Sequence, residues 1–191
     1  VDADDAFAHY DILTNGSLVD DATSEELTKL KKLRRMQVSL EGGTPQVNDA
    51  IRGDGSFDET LQAMRTMKRR GLTVGVMTTI SRANAHDLLK IVDLLATEGV
   101  DTLAVERLVP EGSGAAMHDL MLSPRELHAL YESLYARAQR GGLPRMLLYR
   151  PLFAQVAPDD PTVGALCSVG NNALTLMPDG TVYPCRRLPI S

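Results

Sequence analysis

The sequence predicts an α/β protein built on a parallel sheet. Three observations carry this: short apolar runs alternate with amphipathic stretches of helix length, the helical stretches stop at glycines, and 191 residues, 43% of them apolar, suffice to close a sizeable core. The first run, Tyr10-Asp11-Ile12-Leu13, leads into Thr14-Asn15-Gly16, a turn signal. Thr23-Ser24-Glu25-Glu26 opens a helix, with Thr23 or Ser24 as N-cap and Leu27, Leu30 and Leu33 on one apolar face. Met36 to Leu40 is the next strand and stops at Glu41-Gly42-Gly43. From Phe57 to Arg70 a helix carries Leu61, Met64 and Met67 on one side, with Gly71 as its C-cap.

The cycle then repeats: a strand Leu72 to Thr78, a loop through Ser81-Arg82-Ala83-Asn84, a helix Ala85 to Glu98 closed by Gly99, and a strand Thr102 to Leu108. Strand ends therefore arrive at Thr14, Glu41, Thr79 and Arg107. In a parallel βα sheet or barrel these ends share one face, where loops hold ligands. Polar residues there are candidates for function, and the periodic Leu, Val and Met residues are core. After Val109-Pro110-Glu111-Gly112 the rhythm changes. Ser123-Pro124-Arg125-Glu126 is a capped helix start with proline at the first helical position, and the helix runs to Gln139 before Gly141-Gly142. Beyond it lie a strand-like Met146 to Tyr149, a short helix near Leu152 to Val156 and a Pro/Asp loop. Ala173 to Met177 and Thr181 to Tyr183 flank Pro178-Asp179-Gly180, a hairpin signal. The predicted domains are residues 1–156, the βα body, and residues 157–191, a small β element.

Charge excludes some classes of function. With 20 basic and 25 acidic residues the net charge is −5, and apart from residues 31–35 and 68–70 the basic residues are scattered, so no face is built to neutralise a nucleic-acid backbone. No apolar stretch approaches the roughly 18 residues a membrane span requires. The chain starts at Val1 with an acidic segment lacking signal-peptide layout, which suggests a start partway into a longer protein. Two cysteines cannot make a disulfide framework, and by themselves they read as thiols of a cytoplasmic protein. The four histidines, His9, His86, His118 and His128, share no ligand spacing.

Cys167 and Cys185 flank the hairpin, with twelve residues between Cys167 and Gly180 and four between Gly180 and Cys185. Such an arrangement either brings two soft metal ligands together or buries two structural thiols. The spacing, with Val182-Tyr183-Pro184-Cys185, resembles the opening of the SPASM extension found behind radical S-adenosylmethionine (SAM) domains: a cysteine, nine to fifteen residues, a glycine, four residues and a second cysteine. The resemblance continues upstream in chain order. Thr14-Asn15-Gly16 is similar to the family's third strand end, Val38-Ser39-Leu40-Glu41-Gly42 to its fourth, Ala50-Ile51-Arg52-Gly53 to the following loop, Thr78-Thr79-Ile80-Ser81-Arg82 to its fifth, and Val105-Glu106-Arg107 through Pro110-Glu111-Gly112 to its sixth. The family's C-x3-C-x2-C loop and Gly-Gly-Glu-Pro segment have no counterpart in the chain.

The resemblance implies a fold and a chemistry. The fold is a partial (β/α)6 barrel of the radical SAM type without its first strands, followed by the start of a SPASM hairpin, as in a fragment cut at both ends. The implied enzyme is an oxidoreductase or maturase: with an electron from a [4Fe-4S] cluster it cleaves S-adenosylmethionine to a 5′-deoxyadenosyl radical and takes a hydrogen atom from a substrate. A peptide or protein substrate and a reductant protein are its implied partners, with tetrapyrroles or small molecules as the alternative substrates. Implied cofactor-binding residues are Ser39 and Glu41 near the ribose, Arg82 at the cofactor carboxylate, Thr14, Asn15 and Thr79 at strand ends, and Val105, Glu106 and Leu108 along the edge meeting adenine. Each has a plainer reading: loop hydrogen bonds for Ser39 and Glu41, surface solvation for Arg82, the turn for Thr14 and Asn15, core for Val105 and Leu108, an ion pair with Arg107 for Glu106. Glu41 stands where many relatives carry Asp, and Arg52 is a weaker candidate. Cys167 and Cys185 are implied as partial ligands of an auxiliary [4Fe-4S] cluster, the catalytic cluster's ligands lying outside the chain, and no catalytic residue is assigned. Alone, the chain is expected to be inactive and to self-associate through the strand edge around Ile12. Two other readings are a non-catalytic binding module on the same barrel and a metal-independent (β/α) lyase using Glu41 and Glu106.

Overall fold

The computed structural model describes residues 2–110, 112–146 and 174–185. Five parallel strands, β1 (Tyr10–Thr14), β2 (Leu33–Ser39), β3 (Val74–Ile80), β4 (Thr102–Arg107) and β5 (Arg145–Met146), pair in the order of the chain, with β1 at one edge. A strictly sequential order has no point at which the winding reverses. It is the order of a βα barrel wall rather than of a doubly wound sheet, and its ligand face is the C-terminal strand ends. Helices α1 (Asp21–Thr28), α2 (Pro45–Arg52), α3 (Ser56–Arg69), α4 (Leu88–Thr97) and α5 (Pro124–Gln139) provide the crossovers. A separate antiparallel pair, β6 (Thr175–Leu176) and β7 (Val182–Tyr183), turns at Gly180, whose φ of +88° suits glycine. That hairpin is the one expected from Pro178-Asp179-Gly180.

Alternation along the strands sorts their side chains onto two faces. Met36 and Val38 of β2, Val74, Val76, Thr78 and Ile80 of β3, and Leu103 and Val105 of β4 share one face and are buried. Leu61, Met64 and Met67 of α3, Leu88, Ile91 and Leu95 of α4, and Tyr131 and Leu134 of α5 complete this core. Arg35, Gln37 and Ser39 occupy the opposite face with Gly75, Met77 and Thr79, and with Thr102, Ala104 and Glu106. Here Arg35 reaches sideways to Asp11 at 2.5 Å and toward Thr102 at 3.4 Å. It crosses β3 at Gly75, where a Cβ would stand 2.4 Å from the Thr102 hydroxyl and 2.9 Å from Arg35 Cδ. Burial pushes the Asp11 carboxyl up, but the Arg34 and Arg35 guanidiniums outweigh it and hold the carboxyl below its ordinary range.

Some local expectations need correction. Asp20, rather than Thr23 or Ser24, caps α1, its carboxylate accepting the Thr23 N–H at 2.7 Å. The helix ends at Thr28, so Leu30 lies beyond it and Leu33 begins β2; their spacing from Leu27 mimicked one helical face across a turn. Ala50-Ile51-Arg52 is the end of helix α2 and not a loop, a helix begun by Pro45 in its first turn. Gly53 and Gly55 interrupt the chain before α3, where the Asp49 carboxylate accepts the N–H groups of Gly55 and Phe57 at 2.9 and 2.8 Å and so caps α3 from the neighbouring helix. The Ser123 cap of α5 is present with its reciprocal bond from Glu126. Most of the predicted domain of residues 157–191, Cys167 included, lies outside the described residues.

Candidate cofactor site at the strand ends

The ladder between β2 and β3 is continued by side chains where the strands end. Leu40 N–H still donates to Met77 C=O at 3.1 Å. Beyond it, Thr79 N–H donates to Glu41 Oε2 at 2.7 Å, and the Thr78 hydroxyl donates to Leu40 C=O at 2.7 Å. Glu41 Oε1 accepts from Arg52 at 3.0 Å. Glu41 is only 7% exposed; burial pushes its carboxyl above the usual carboxylate range, while the Thr79 N–H and the Arg52 guanidinium pull it back down. Both carboxylate oxygens are thus taken up in joining β2, β3 and α2.

Two buried asparagines complete the junction. Asn48 of α2 accepts the Glu41 N–H at 2.9 Å and donates to the Ser56 hydroxyl at 2.9 Å. Asn84, in the loop after β3, donates to the carbonyls of Glu41 and Thr79 at 2.9 and 3.0 Å. Gly42 and Gly43 are required by proximity. A Cβ on Gly42 would stand 2.4 Å from the Asn48 backbone nitrogen, and one on Gly43 would stand 2.7 Å from the Ile91 backbone nitrogen. Gly43 N–H donates to the buried Asp87 carboxylate at 2.7 Å.

The residues expected to bind a cofactor take different positions. Ser39, Thr79 and Glu106 stand on the polar face of the sheet at or near its C-terminal edge, with Thr79 and Glu106 paired in register. Among the described residues the Ser39 and Thr79 hydroxyls have no hydrogen-bond partner. Thr14 accepts the Gly16 N–H at 3.1 Å and Asn15 accepts the Ser17 N–H at 3.2 Å, so both side chains shape the turn after β1. Val105 is fully buried on the helix-covered face, while Leu108, just past β4, is half-buried.

Arg82 points toward α5, its Nε and Nη2 donating to Glu126 at 3.2 and 3.0 Å and Nη1 to the Asp119 carbonyl at 2.8 Å. The Arg82 guanidinium, together with the Ser123 hydroxyl and N–H, holds the Glu126 carboxyl at about 2. An NMR titration of the Glu126 side-chain carboxyl is therefore expected to give a midpoint near about 2, and Arg82→Gln to move it toward the ordinary 4.5. An unmoved midpoint in the variant would show that Arg82 does not hold this carboxylate.

Sequence reasoning missed Asn48, Asn84 and Asp49. Asn84 lay in a segment read simply as a loop, and the signal that could have found it was an asparagine three residues past Ser81, placed to accept the Ser81 N–H.

A parallel sheet wound in sequential order, helices on one face and open hydroxyls at the C-terminal strand ends, belongs to the βα-barrel class that binds ligands at that end. Residues 3–95 match the sequence model of the Radical SAM superfamily, and the chain belongs to that family. It is 32% identical over 152 residues to "Mycofactocin maturase MftC" of Mycolicibacterium smegmatis, a match covering 78% of the chain and 38% of that protein. To "Fe-coproporphyrin III synthase" of Methanosarcina barkeri it is 32% identical over 130 residues, covering 68% of the chain and 32% of the relative. The solved structure of Streptococcus suis SuiB bound to precursor peptide SuiA superposes with a TM-score of 0.67 at 16% identity, over 92% of the chain and 42% of SuiB. The chain therefore spans about two-fifths of the first of these curated relatives.

The residues present fit one of the family's two cofactors. S-adenosylmethionine carries ribose hydroxyls and an amino-acid group, and the two open hydroxyls on the polar face suit such a polar ligand. An iron–sulfur cluster takes about four thiolates. The chain has two cysteines, of which Cys167 lies outside the described residues and Cys185 is half-buried, and among the described residues no cluster of three or more metal-ligating side chains occurs. These residues do not hold a four-iron cluster by themselves. Among the described residues, no helix is long and apolar enough to cross a membrane.

Proposed function

We propose that the protein is a radical SAM maturase that reductively cleaves S-adenosylmethionine and removes a hydrogen atom from a peptide or protein substrate. The observation that carries this reading is the pair of open hydroxyls, Ser39 and Thr79, at the C-terminal ends of β2 and β3 in a sheet of this family. When bound, S-adenosylmethionine would supply the 5′-deoxyadenosyl radical, and its cleavage to that radical and methionine would take one electron from a reduced four-iron cluster whose thiolates these residues do not supply. The chain's own residues bind and orient. Ser39 and Thr79 meet the ribose and amino-acid portions, Glu106 faces the same edge, and the Glu41–Arg52 pair fixes the ends of β2 and β3.

The peptide assignment is supported by the maturase name of the first relative and by the precursor peptide in the SuiB complex. The Fe-coproporphyrin III synthase favours a tetrapyrrole as the second reading. Cys167 and Cys185 are proposed as partial ligands of an auxiliary cluster, so replacing both lowers the iron content of the reconstituted protein. The test of the main reading is anaerobic reconstitution of the protein at its full natural length, reduction, and chromatography for 5′-deoxyadenosine. Formation of 5′-deoxyadenosine that rises with a precursor peptide is the expected result. No 5′-deoxyadenosine with any reductant overturns the reading, and a rise only with a porphyrin transfers it to the second.

A further inference from the structure

We propose that Asn84 is a positioning residue for S-adenosylmethionine: by bridging the carbonyls of Glu41 and Thr79 it holds the ends of β2 and β3 at the separation that presents Ser39 and Thr79 to the cofactor. The inference rests on the S-adenosylmethionine reading and extends it to a residue that does not touch the ligand. Asn84 is fully buried, and its amide is fully used. Nδ2 donates both hydrogens, to Glu41 C=O at 2.9 Å and to Thr79 C=O at 3.0 Å, and Oδ1 accepts the Ser81 N–H at 2.8 Å and the Ser81 hydroxyl at 3.3 Å. One side chain thus ties the end of β2, the end of β3 and the loop that follows.

The place of this bridge matters. It lies beyond the last backbone bond between the two strands, Leu40 N–H to Met77 C=O, where regular pairing no longer sets the spacing. Among the described residues, the other links across the gap, Thr79 N–H to Glu41 Oε2 and the Thr78 hydroxyl to Leu40 C=O, leave the carbonyls of Glu41 and Thr79 to Asn84. Two carbonyl dipoles facing one another without the amide between them would part or take in water. Ser39 is two residues before Glu41, and Thr79 is itself one end of the bridge, so movement of these carbonyls alters the distance between the two open hydroxyls. A site loosened by a fraction of an ångström loses ligand affinity even when every contacting side chain remains.

The test compares Asn84→Ala with Leu134→Ala, a core deletion on α5, in the reconstituted protein at its full natural length. Calorimetry measures S-adenosylmethionine affinity, and hydrogen exchange follows the Thr79 and Ser81 amides. Asn84→Ala is expected to weaken binding about tenfold and to speed exchange at both amides, while Leu134→Ala, although less stable, binds as the unsubstituted protein does. Should Asn84→Ala fail to fold, Asn84→Asp, which keeps the acceptor for Ser81 and loses both N–H donors of the bridge, is read in its place, with weaker binding and faster exchange expected at Thr79 alone. Unchanged affinity in the Asn84 variant, or equal weakening in the Leu134 variant, overturns the positioning role. An unsubstituted protein that binds no S-adenosylmethionine overturns the reading beneath it, a distinct result.

Discussion

Gly42→Ala is expected to lower the unfolding free energy by about 3 kcal/mol, at the upper end of what overpacking a close-fitted interior costs. The added methyl would lie 2.4 Å from the Asn48 backbone nitrogen and 2.9 Å from Val47 C and Cβ. Two of these three atoms are backbone, so no rotamer change relieves the clash and α2 must move. Moving α2 also strains the Asn48 bond to Glu41 N–H and the Arg52 bond to Glu41 Oε1. The consequence spreads from packing to the strand ends. Urea denaturation checks it: the midpoint falls with an unchanged slope. An unchanged midpoint would mean that the β2 loop can back away from α2 at little cost.

Arg52→Met is expected to destabilise by roughly 3 kcal/mol at neutral pH, because removal of one partner leaves a buried charge uncompensated. The Glu41 side chain is 9% exposed and that of Arg52 is 25% exposed, so solvent offers the carboxylate little replacement. The pH dependence has a definite sign. In the folded protein the Glu41 carboxyl already titrates above its ordinary value, and loss of Arg52 raises it further. The folded state then keeps a proton that the unfolded state releases. Stability from this group is therefore full below the unfolded value of about 4.5 and is lost as pH rises through the higher folded value. The deficit of Arg52→Met should be larger at pH 8 than at pH 5, measured by denaturation at both. An equal deficit would place Arg52 outside the electrostatics of Glu41.

Much of the fold was legible because its signals are local. Gly71, Gly99 and Gly141 follow the ends of α3, α4 and α5 with positive φ, and Ser123 with Glu126 three residues later marks the start of α5. The runs read as strands at residues 36–40, 72–78 and 102–108 overlap β2, β3 and β4, with the first starting three residues late and the second displaced by two. Local reasoning failed where two patterns overlap. Leu27, Leu30 and Leu33 have helical spacing but belong to a helix, a turn and a strand, and Ala50-Ile51-Arg52, read as loop, closes a helix only two turns long. In the site, Ser39, Thr79 and Glu106 were readable as strand-end positions. The partners of Glu41 and Arg82 were not, since nothing near Glu41 in sequence points to Thr79, or near Arg82 to Glu126.

The sequence by itself determined the alternation of strands and helices, the hairpin at Gly180 and the family resemblance that the comparison bears out. Each of these depends on side-chain periodicity, backbone preference at glycine and proline, or motif order, and all are written within a few residues or along the chain. Only the tertiary structure decided that Glu41 joins Thr79, that Asn84 bridges the two strand ends, and that Gly42 and Gly43 exist for α2 and α4. These bonds link residues 38 and 43 apart. Their free energy comes from burial at a junction of β2, β3 and α2, an environment that no stretch of the chain possesses until all three have packed.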